Sequence, residues 1–337
     1  MNSVLIVAEM SANHLNDFNI AKKTIEQIHY TGADAVKVQT YKPSSLSLEV
    51  DNEFFSVKKD GPWKGLRPWD LYASAAMPYE WHFELKEYAE SLGLTFFSSP
   101  FDLDAIDFLE SIQIPIYKIA SFEINDIPLI KKAASTQKPI IISTGVATES
   151  DIEKAIKTCH DVGNNDITIL KCTSEYPAEI SAANLKTITD MQNRFKVKVG
   201  VSDHTMGFIV PVVAVTLGAT VVEKHFTLDR SLGGPDAFFS MEPHEFKEMV
   251  DKIRQVEMSL GRVTYDIQEK DLRRRRSLFA IRDIMKGEIF SLENIKSLRP
   301  CVGLEPILLP KVLSCRASVD IPKGQPITID LLSVTEI

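Results

Sequence analysis

The sequence predicts an α/β protein: a closed (β/α)8 barrel, or TIM barrel, followed by a small, mostly β domain. Two observations predict the barrel. Between residues 4 and 261, short runs rich in Val and Ile alternate with amphipathic helical stretches, and eight such pairs in this length are typical of a closed barrel. An open doubly wound sheet is the alternative, but no G-x-G-x-x-G motif follows the first strand. A repeated motif in the tail predicts the second domain.

The predicted strands are short β-branched runs, a composition typical of strands that are buried on both faces. They cover residues 5–11, 35–41, 94–100, 116–121, 139–145, 167–173, 198–204 and 221–227. Apolar residues at helical spacing, as in 20–28 and 83–92, predict the intervening helices. The connection at 42–78 is long and aromatic, which favours an insertion that shapes a substrate pocket or, alternatively, a surface hairpin covering the barrel.

The tail carries an internal repeat, since DIMKG at 283–287 recurs as DIPKG at 320–324. Two copies of a strand–turn–strand unit predict a small β domain with pseudo-two-fold symmetry. We therefore predict a barrel domain over 1–265, a linker over 266–278 and the β domain over 279–337. The four arginines at 273–276 are interpreted as part of a solvated linker, because the chain as a whole is acidic.

Composition narrows the function classes. The 337-residue chain is 44% hydrophobic and carries a net charge of −8, which disfavours nucleic-acid binding because the phosphate backbone repels an acidic protein. No apolar run is long enough for a membrane span, and no signal peptide is visible at the start. Four cysteines without C-x-x-C spacing predict reduced thiols. We expect a cytoplasmic protein that binds neither nucleic acid nor membranes.

Polar side chains stand at the carboxyl end of nearly every predicted strand, where barrel enzymes place their sites. Two lysines and several serines among them form a cationic, hydroxyl-rich cup suited to a phosphate or a carboxylate. These residues are Lys37, Lys118, Ser99, Ser121, Ser143 and Ser202.

Two histidines lie at the same height on neighbouring strands, His204 and His225, with Glu9 next around the closed ring. Two imidazoles in this arrangement can share a divalent metal and leave positions free for water and substrate, as a Lewis-acid role requires. The alternative is that each is a lone histidine at the rim.

At these residues the sequence resembles the sialic acid synthase family, the phosphoenolpyruvate-condensing nonulosonate synthases. The matching motifs lie at 8–9, 13–14, 36–40 (VKVQT), 117–123 (YKIASFE), 143–145 (STG), 172–177 (CTSEYP), 200–205 (GVSDHT) and 223–227 (EKHFT). The tail is similar to the family's antifreeze-like SAF domain, with Arg299 and Pro300 at the expected place.

The resemblance implies condensation of phosphoenolpyruvate with an open-chain amino-sugar aldehyde, with a metal (Mn²⁺, Mg²⁺ or Co²⁺) held by His204 and His225. It implies that Glu9 and Glu123 are catalytic carboxylates, their individual roles left open. The implied phosphoenolpyruvate ligands are Lys37, Ser99, Lys118, Ser121, Ser143, Ser174 and Ser202. The implied sugar ligands are Gln39, Tyr176, Asp236 and Arg299, the last from a homodimer in which the tail domain reaches into the partner barrel.

Within the family, Trp63, Ala75 and residues 71–72, 79–82 and 120–123 resemble the pseudaminate branch, whose sugar is 2,4-diacetamido-2,4,6-trideoxy-L-altrose. Residues 67–69 and 76–78 depart from that branch, so the neuraminate and legionaminate branches remain alternatives. Two remote alternatives are a Schiff-base aldolase with Lys118 or Lys171 as nucleophile, and a non-catalytic carbohydrate-binding protein.

Overall fold

The computed structural model describes residues 3–57 and 63–334 of the chain. The chain divides into two compact units, Met1–Gly261 and Arg262–Ile337.

The first unit is built on a closed barrel of eight parallel strands, hydrogen-bonded in sequence order with β8 returning to β1. The strands are β1 (Leu5–Glu9), β2 (Ala35–Thr40), β3 (Thr95–Pro100), β4 (Tyr117–Ile119), β5 (Ile140–Ser143), β6 (Ile167–Cys172), β7 (Lys198–Asp203) and β8 (Val221–His225). The predicted (β/α)8 fold is confirmed.

Seven of the eight strands end one or two residues before the run that predicted them. The last residues of those runs leave the hydrogen-bonded ladder to begin a loop. Ser121 and His204 therefore stand just beyond β4 and β7, at the mouth of the barrel.

Most of the helices cover the outer surface of the barrel, while those within residues 42–78 belong to the insertion. They are α1 (Phe18–Thr31), α2 (Pro43–Leu46), α3 (Pro68–Ala75), α4 (Trp81–Ser91), α5 (Leu103–Ser111), α6 (Ile127–Ser135), α7 (Glu149–Asp161), α8 (Lys186–Phe195), α9 (Ile209–Thr216) and α10 (Pro243–Leu260). α1 shows how the sequence sets their limits. The Asp17 carboxylate caps its first amides, and Gly32 ends it in the left-handed conformation at φ 80°.

The barrel interior is filled with apolar side chains: Val7, Ala35, Phe97, Ile141, Leu170 and Val221. A larger apolar layer lies between the strands and the helices, and it includes Ile6, Val36 and Ile119. On β1 the apolar filling gives way to Glu9, two residues after Val7. The polar side chains thus collect at the carboxyl ends of the strands, where a barrel places its site.

The second unit contains two antiparallel strand pairs, β9 (Ser277–Ala280) with β10 (Ile295–Leu298) and β11 (Cys315–Ala317) with β12 (Leu332–Val334). It also contains the short helices α11 (Glu269–Leu272) and α12 (Leu309–Val312).

The repeated motif of the tail pairs with itself. Ile284 and Ile321 exchange backbone hydrogen bonds of 2.9 and 2.8 Å. The Lys286 amide donates to the Asp320 carboxylate, and the Lys323 amide donates to that of Asp283. These reciprocal bonds give the pseudo-two-fold arrangement that the repeat predicted. Among residues 3–57 and 63–334, no helix is both long and apolar enough to cross a bilayer.

Candidate active site

A cavity of about 460 Å³ opens at the carboxyl ends of the barrel strands. Most of the predicted site residues line it: Glu9, Lys37, Gln39, Lys118, Ser121, Glu123, Ser143, Tyr176, Ser202, His204, His225 and Asp236. The structure therefore brings together side chains from seven of the eight strands or the loops after them, and from the loop after β8.

Three predicted residues do not line this cavity. Ser99 is buried and accepts a 3.2 Å hydrogen bond from Lys37 Nζ. Ser174 stands behind the glycine of the STG motif, with Oγ only 2.1 Å from where a Cβ on Gly145 would lie. Arg299 belongs to the second unit, where it is exposed directly after β10.

The floor of the cavity is a buried cluster of two lysines and two glutamates. Lys37 Nζ lies 2.8 Å from Glu9 Oε2 and 3.7 Å from Glu223 Oε1, and Lys118 Nζ lies 3.5 Å from the same Glu223 oxygen. Ser202 donates a 3.1 Å hydrogen bond to Glu223. The formal charges cancel, so the two lysines of the predicted cationic cup are paired with carboxylates.

Glu223 is one of the cavity residues that the sequence analysis did not assign to the site. Residues two apart on a strand face the same side. Glu223 and His225 of β8 therefore both point into the barrel, so the alternation of side chains along β8 could have identified Glu223.

Burial and mutual charge shift the titration of the floor. Burial raises the pKa of Glu9, with a further contribution from the charge of Glu223. Burial would lower the pKa of Lys37, but Glu223 and Glu9 outweigh it and raise that pKa. For Lys118, burial prevails over the attraction of Glu223 and lowers the pKa.

His204 and His225 face each other, with ring centroids 5.3 Å apart. His204 Nδ1 lies 2.8 Å from the Thr173 carbonyl, and the tautomer that donates this hydrogen bond leaves Nε2 with a free lone pair. Burial, aided by the positive charge of nearby lysines such as Lys37, lowers the pKa of His225 well below its usual value and keeps that ring neutral.

These two rings fit a divalent metal. His225 Nδ1 is buried without a hydrogen-bond partner among the described residues, and His204 is oriented by a backbone carbonyl, as metal-bound histidines usually are. Within residues 3–57 and 63–334, no group of three or more His, Cys, Asp or Glu side chains is arranged to hold an ion. The pair would therefore supply two ligands and leave open positions.

Glu123 lies at the end of a short 3-10 helix, Ser121–Glu123, directly after β4. Its Oε2 is buried and has no hydrogen-bond partner within the described part of the chain. Burial raises the pKa of this carboxyl to about 7, against the lowering effect of Lys118 and Lys37 and with a small raising effect from Asp126. A carboxyl with a pKa near neutrality can both accept and return a proton.

One polar side of the cavity is a chain of hydrogen bonds. Gln39 Nε2 donates to Glu9 Oε1 and to Ser11 Oγ, both at 2.9 Å. Ser11 in turn donates to Asp236 Oδ2 at 2.5 Å. The two carboxylates are thereby held at fixed places in the cavity.

The insertion at 42–78 supplies an apolar and aromatic side of the cavity through Leu46, Trp63, Leu71, Tyr72 and Ala75. Trp63 Nε1 donates to the Pro235 carbonyl at 3.1 Å, and its ring lies 5.9 Å from that of Tyr176. The insertion is therefore part of the pocket. Residues 58–62 of it lie outside the described residues.

Lys171 lies apart from this cavity. Its Nζ donates to the Cys172 carbonyl at 2.9 Å and to Thr173 Oγ1 at 3.3 Å, and it lines a separate cavity between α7 and α8. Of the two lysines considered as nucleophiles, Lys118 alone lines the central cavity.

Family comparison accounts for both units. The model of the NeuB family matches residues 24–265, and that of the SAF domain matches residues 275–333. The chain belongs to the NeuB family. This NeuB-family protein is an enzyme, a phosphoenolpyruvate-dependent nonulosonate synthase of the transferase class, and the resemblance found in its sequence is confirmed.

Its relatives include pseudaminic acid synthases. The protein is 47% identical to that of Campylobacter jejuni strain 81-176, over 95% of this chain and 94% of the relative. It is 47% identical to that of Helicobacter pylori, over 96% of each chain. The N,N'-diacetyllegionaminic acid synthase of Legionella pneumophila is 37% identical over 95% of this chain and 92% of its own.

Among solved structures, the N-acetylneuraminic acid synthetase of Leptospira borgpetersenii in complex with citrate superimposes with a TM-score of 0.72. It is 31% identical to this NeuB-family protein, and the match covers 80% of this chain and 89% of the other.

Proposed function

We propose that this enzyme is a pseudaminic acid synthase. It would condense phosphoenolpyruvate with 2,4-diacetamido-2,4,6-trideoxy-L-altrose and water, giving pseudaminic acid and phosphate by C–O cleavage. The observation that carries this proposal is one cavity that joins buried lysines, an imidazole pair and carboxylates to an apolar side built by the insertion. The pseudaminic acid synthases at 47% identity support it over the legionaminate relative at 37%.

Phosphoenolpyruvate would bind at the floor of the cavity. Lys37 and Lys118 are the cations there, and the Oγ of Ser143 is buried without a hydrogen-bond partner in the described structure. Ser121 and Ser202 add hydroxyls that line the same space. Ammonium and hydroxyl groups together match the oxygens of a phosphate and a carboxylate.

A divalent ion, Mn²⁺, Mg²⁺ or Co²⁺, would be held by His204 and His225. When bound, such an ion acts as a Lewis acid that polarises the aldehyde of the sugar. The orientation of His204 by the Thr173 carbonyl and the neutrality of His225 are what this chain contributes to the ion.

The condensation forms one carbon–carbon bond, from the methylene carbon of phosphoenolpyruvate to the aldehyde carbon. The positive charge that develops at C2 is captured by water, and phosphate leaves with its bridging oxygen. Glu9, held by Lys37 and Gln39, would stabilise that charge. Glu123, whose pKa is about 7, would take the proton of the water.

Glu123→Gln tests this assignment. The wild-type kcat/KM should rise with pH through about 7 as Glu123 ionises, and the variant should lose that rise and about a hundredfold in rate at pH 8. Glu175→Gln, an exposed carboxyl after β6, should keep the wild-type profile. A variant that retains the rise near pH 7 assigns it to another group and contradicts the proposal.

The same substitution has a predicted effect on stability. Since burial raises this pKa from 4.5 to about 7, ionisation of Glu123 destabilises the folded protein as pH rises through that window. The Tm of Glu123→Gln should therefore exceed that of the wild type at pH 8 and match it at pH 4.

The sugar is tested by a panel assay. Phosphate release would be measured with phosphoenolpyruvate and each of three aldehydes: the altrose derivative, its legionaminate counterpart and N-acetylmannosamine. We expect the altrose derivative to give the highest kcat/KM, because its 6-methyl group suits the apolar side formed by Leu46, Leu71 and Ala75. A higher value with either other sugar assigns the enzyme to that branch, and no release with any contradicts the function.

We further infer a cytoplasmic homodimer in which the SAF domain of one subunit contributes Arg299 to the barrel of the other. Arg299→Ala should raise the KM for the sugar about tenfold or more, since it removes a charged hydrogen-bond donor, and leave the KM for phosphoenolpyruvate unchanged. Arg316→Ala, in β11 of the same domain, is the matched control. An unchanged KM for the sugar in a folded Arg299→Ala dimer would contradict the proposed role of Arg299.

A further inference from the structure

A buried ion pair lies behind the imidazole pair, on the opposite face of the same two strands. Asp203 of β7 and Lys224 of β8 are register partners, one residue from the lumen-facing Ser202 and Glu223. Their side chains are 2% and 1% exposed, and neither lines the central cavity. Lys224 Nζ donates to Asp203 Oδ2 at 2.5 Å.

Both members of the pair also hold Thr205. Lys224 Nζ donates to the Thr205 carbonyl at 2.5 Å, while Asp203 accepts from the Thr205 amide at 3.0 Å and from its hydroxyl at 3.1 Å. The residues on either side of His204 are thus fixed to Lys224, the residue that precedes His225. The two bonds from Lys224 cross from β8 to β7, and the two that Asp203 accepts fix the turn directly after β7.

Stability alone does not explain this pair. Around the pair, the layer between strands and helices is lined mostly by apolar residues such as Val199, Val201 and Val222. Removing two charges from water is costly, and replacing a buried pair by neutral side chains of similar volume is often neutral or stabilising. The pair is better explained by the geometry that it imposes on the neighbouring histidines.

We propose that Asp203 and Lys224 are positioning residues that hold His204 and His225 at the separation at which both bind one divalent cation. The inference rests on the metal site of the proposed function. It adds the reason why the two rings, on different strands and with centroids 5.3 Å apart, keep one arrangement before the ion arrives.

The test is Mn²⁺ binding to the double variant Asp203→Asn/Lys224→Met, measured by calorimetry on metal-free protein. Asparagine keeps an acceptor for the Thr205 amide, and methionine fills the volume of the lysine without its charge. We expect the Kd for Mn²⁺ to rise about 10- to 100-fold, as for residues that orient metal ligands. The Tm should stay within a few degrees of the wild type or rise.

The matched control removes another ion pair far from the histidines. Asp34→Asn/Arg254→Met breaks a partly buried pair, 2.7 Å long, which joins α10 to the residue before β2 at the amino-terminal end of the barrel. This variant should lose Tm and keep the wild-type Kd for Mn²⁺. The Asp203→Asn/Lys224→Met variant would then change the Kd for Mn²⁺ without a large loss of Tm, and the control would lower the Tm without changing the Kd.

The outcomes decide between the possible failures. A folded double variant with the wild-type Kd overturns the positioning role while the metal site stands. Loss of affinity only in proportion to a large loss of Tm makes the pair structural and also overturns it. A wild type that binds no Mn²⁺ removes the metal from the proposed function. If the double variant does not fold, Asp203→Asn alone is held to the same criterion.

Discussion

Lys118→Met should lower kcat/KM for phosphoenolpyruvate by about 30- to 3,000-fold, because truncating one partner of a buried charge pair costs about 2–5 kcal/mol of binding and each 1.4 kcal/mol is tenfold. Lys118 is almost fully buried and lies 3.5 Å from Glu223 at the floor of the cavity. The substitution removes a cation that would face the anionic substrate and leaves Glu223 with Lys37 alone. Most of the change should appear in the KM for phosphoenolpyruvate.

Lys171→Met is the matched control for this experiment. Lys171 is also partly buried near the top of the barrel, but its Nζ contacts a backbone carbonyl and Thr173 in a separate cavity. Its variant should keep the wild-type kcat/KM. Borohydride treatment with both substrates should trap no covalent adduct at either lysine. A trapped adduct at Lys118 would replace the condensation proposed above by Schiff-base chemistry.

His225→Ala should lower kcat by more than about 100-fold, since loss of a metal ligand should exceed the 10- to 100-fold typical of residues that only orient ligands. His225 lines the cavity as a neutral ring, and its buried Nδ1 has no hydrogen-bond partner within residues 3–57 and 63–334. Exhaustive treatment of the wild type with EDTA should abolish turnover in the same way, and added Mn²⁺ or Mg²⁺ should restore it.

His244→Ala provides the comparison, because the His244 side chain is 77% exposed at the start of α10, away from the cavity. Its activity should match the wild type with and without chelator. Turnover that survives complete removal of divalent ions, or a His225→Ala enzyme with full activity, would rule out the metal role.

The barrel could be predicted because each of its strands is recognisable from its own local sequence. Runs such as 139–145 are apolar enough to be buried on both faces, and a closed parallel ring is the arrangement that buries eight of them in this length. The ends of the strands were less predictable. Whether Ser121 or His204 still belongs to the ladder depends on hydrogen bonds from neighbouring strands, which the local sequence does not encode.

Site residues could be predicted where the residue type itself indicates the chemistry, as for histidines that bind metals. They were harder to predict where the role of a side chain depends on its neighbours in the fold. His204 and His225 follow from strand order alone. Ser99 carries the expected hydroxyl, but it does not line the cavity and accepts a hydrogen bond from Lys37. Glu223 was not assigned to the site because the sequence analysis considered only His225 on β8, although both side chains face the lumen. The helix α3, which brings Leu71 and Tyr72 to the pocket, lies in an insertion with no strong periodic signal.

The balanced charges of the cavity floor make the binding of phosphoenolpyruvate depend on the binding of the metal. Lys37 and Lys118 are already compensated by Glu9 and Glu223, and the neutral His225 adds no charge. Phosphoenolpyruvate, a trianion, would then be attracted electrostatically only once a divalent cation is bound between His204 and His225. Thermodynamic linkage makes that synergy mutual, so Mn²⁺ and phosphoenolpyruvate should tighten each other's binding by the same factor. We expect the Kd for phosphoenolpyruvate to be lower in the presence of Mn²⁺ than in its absence.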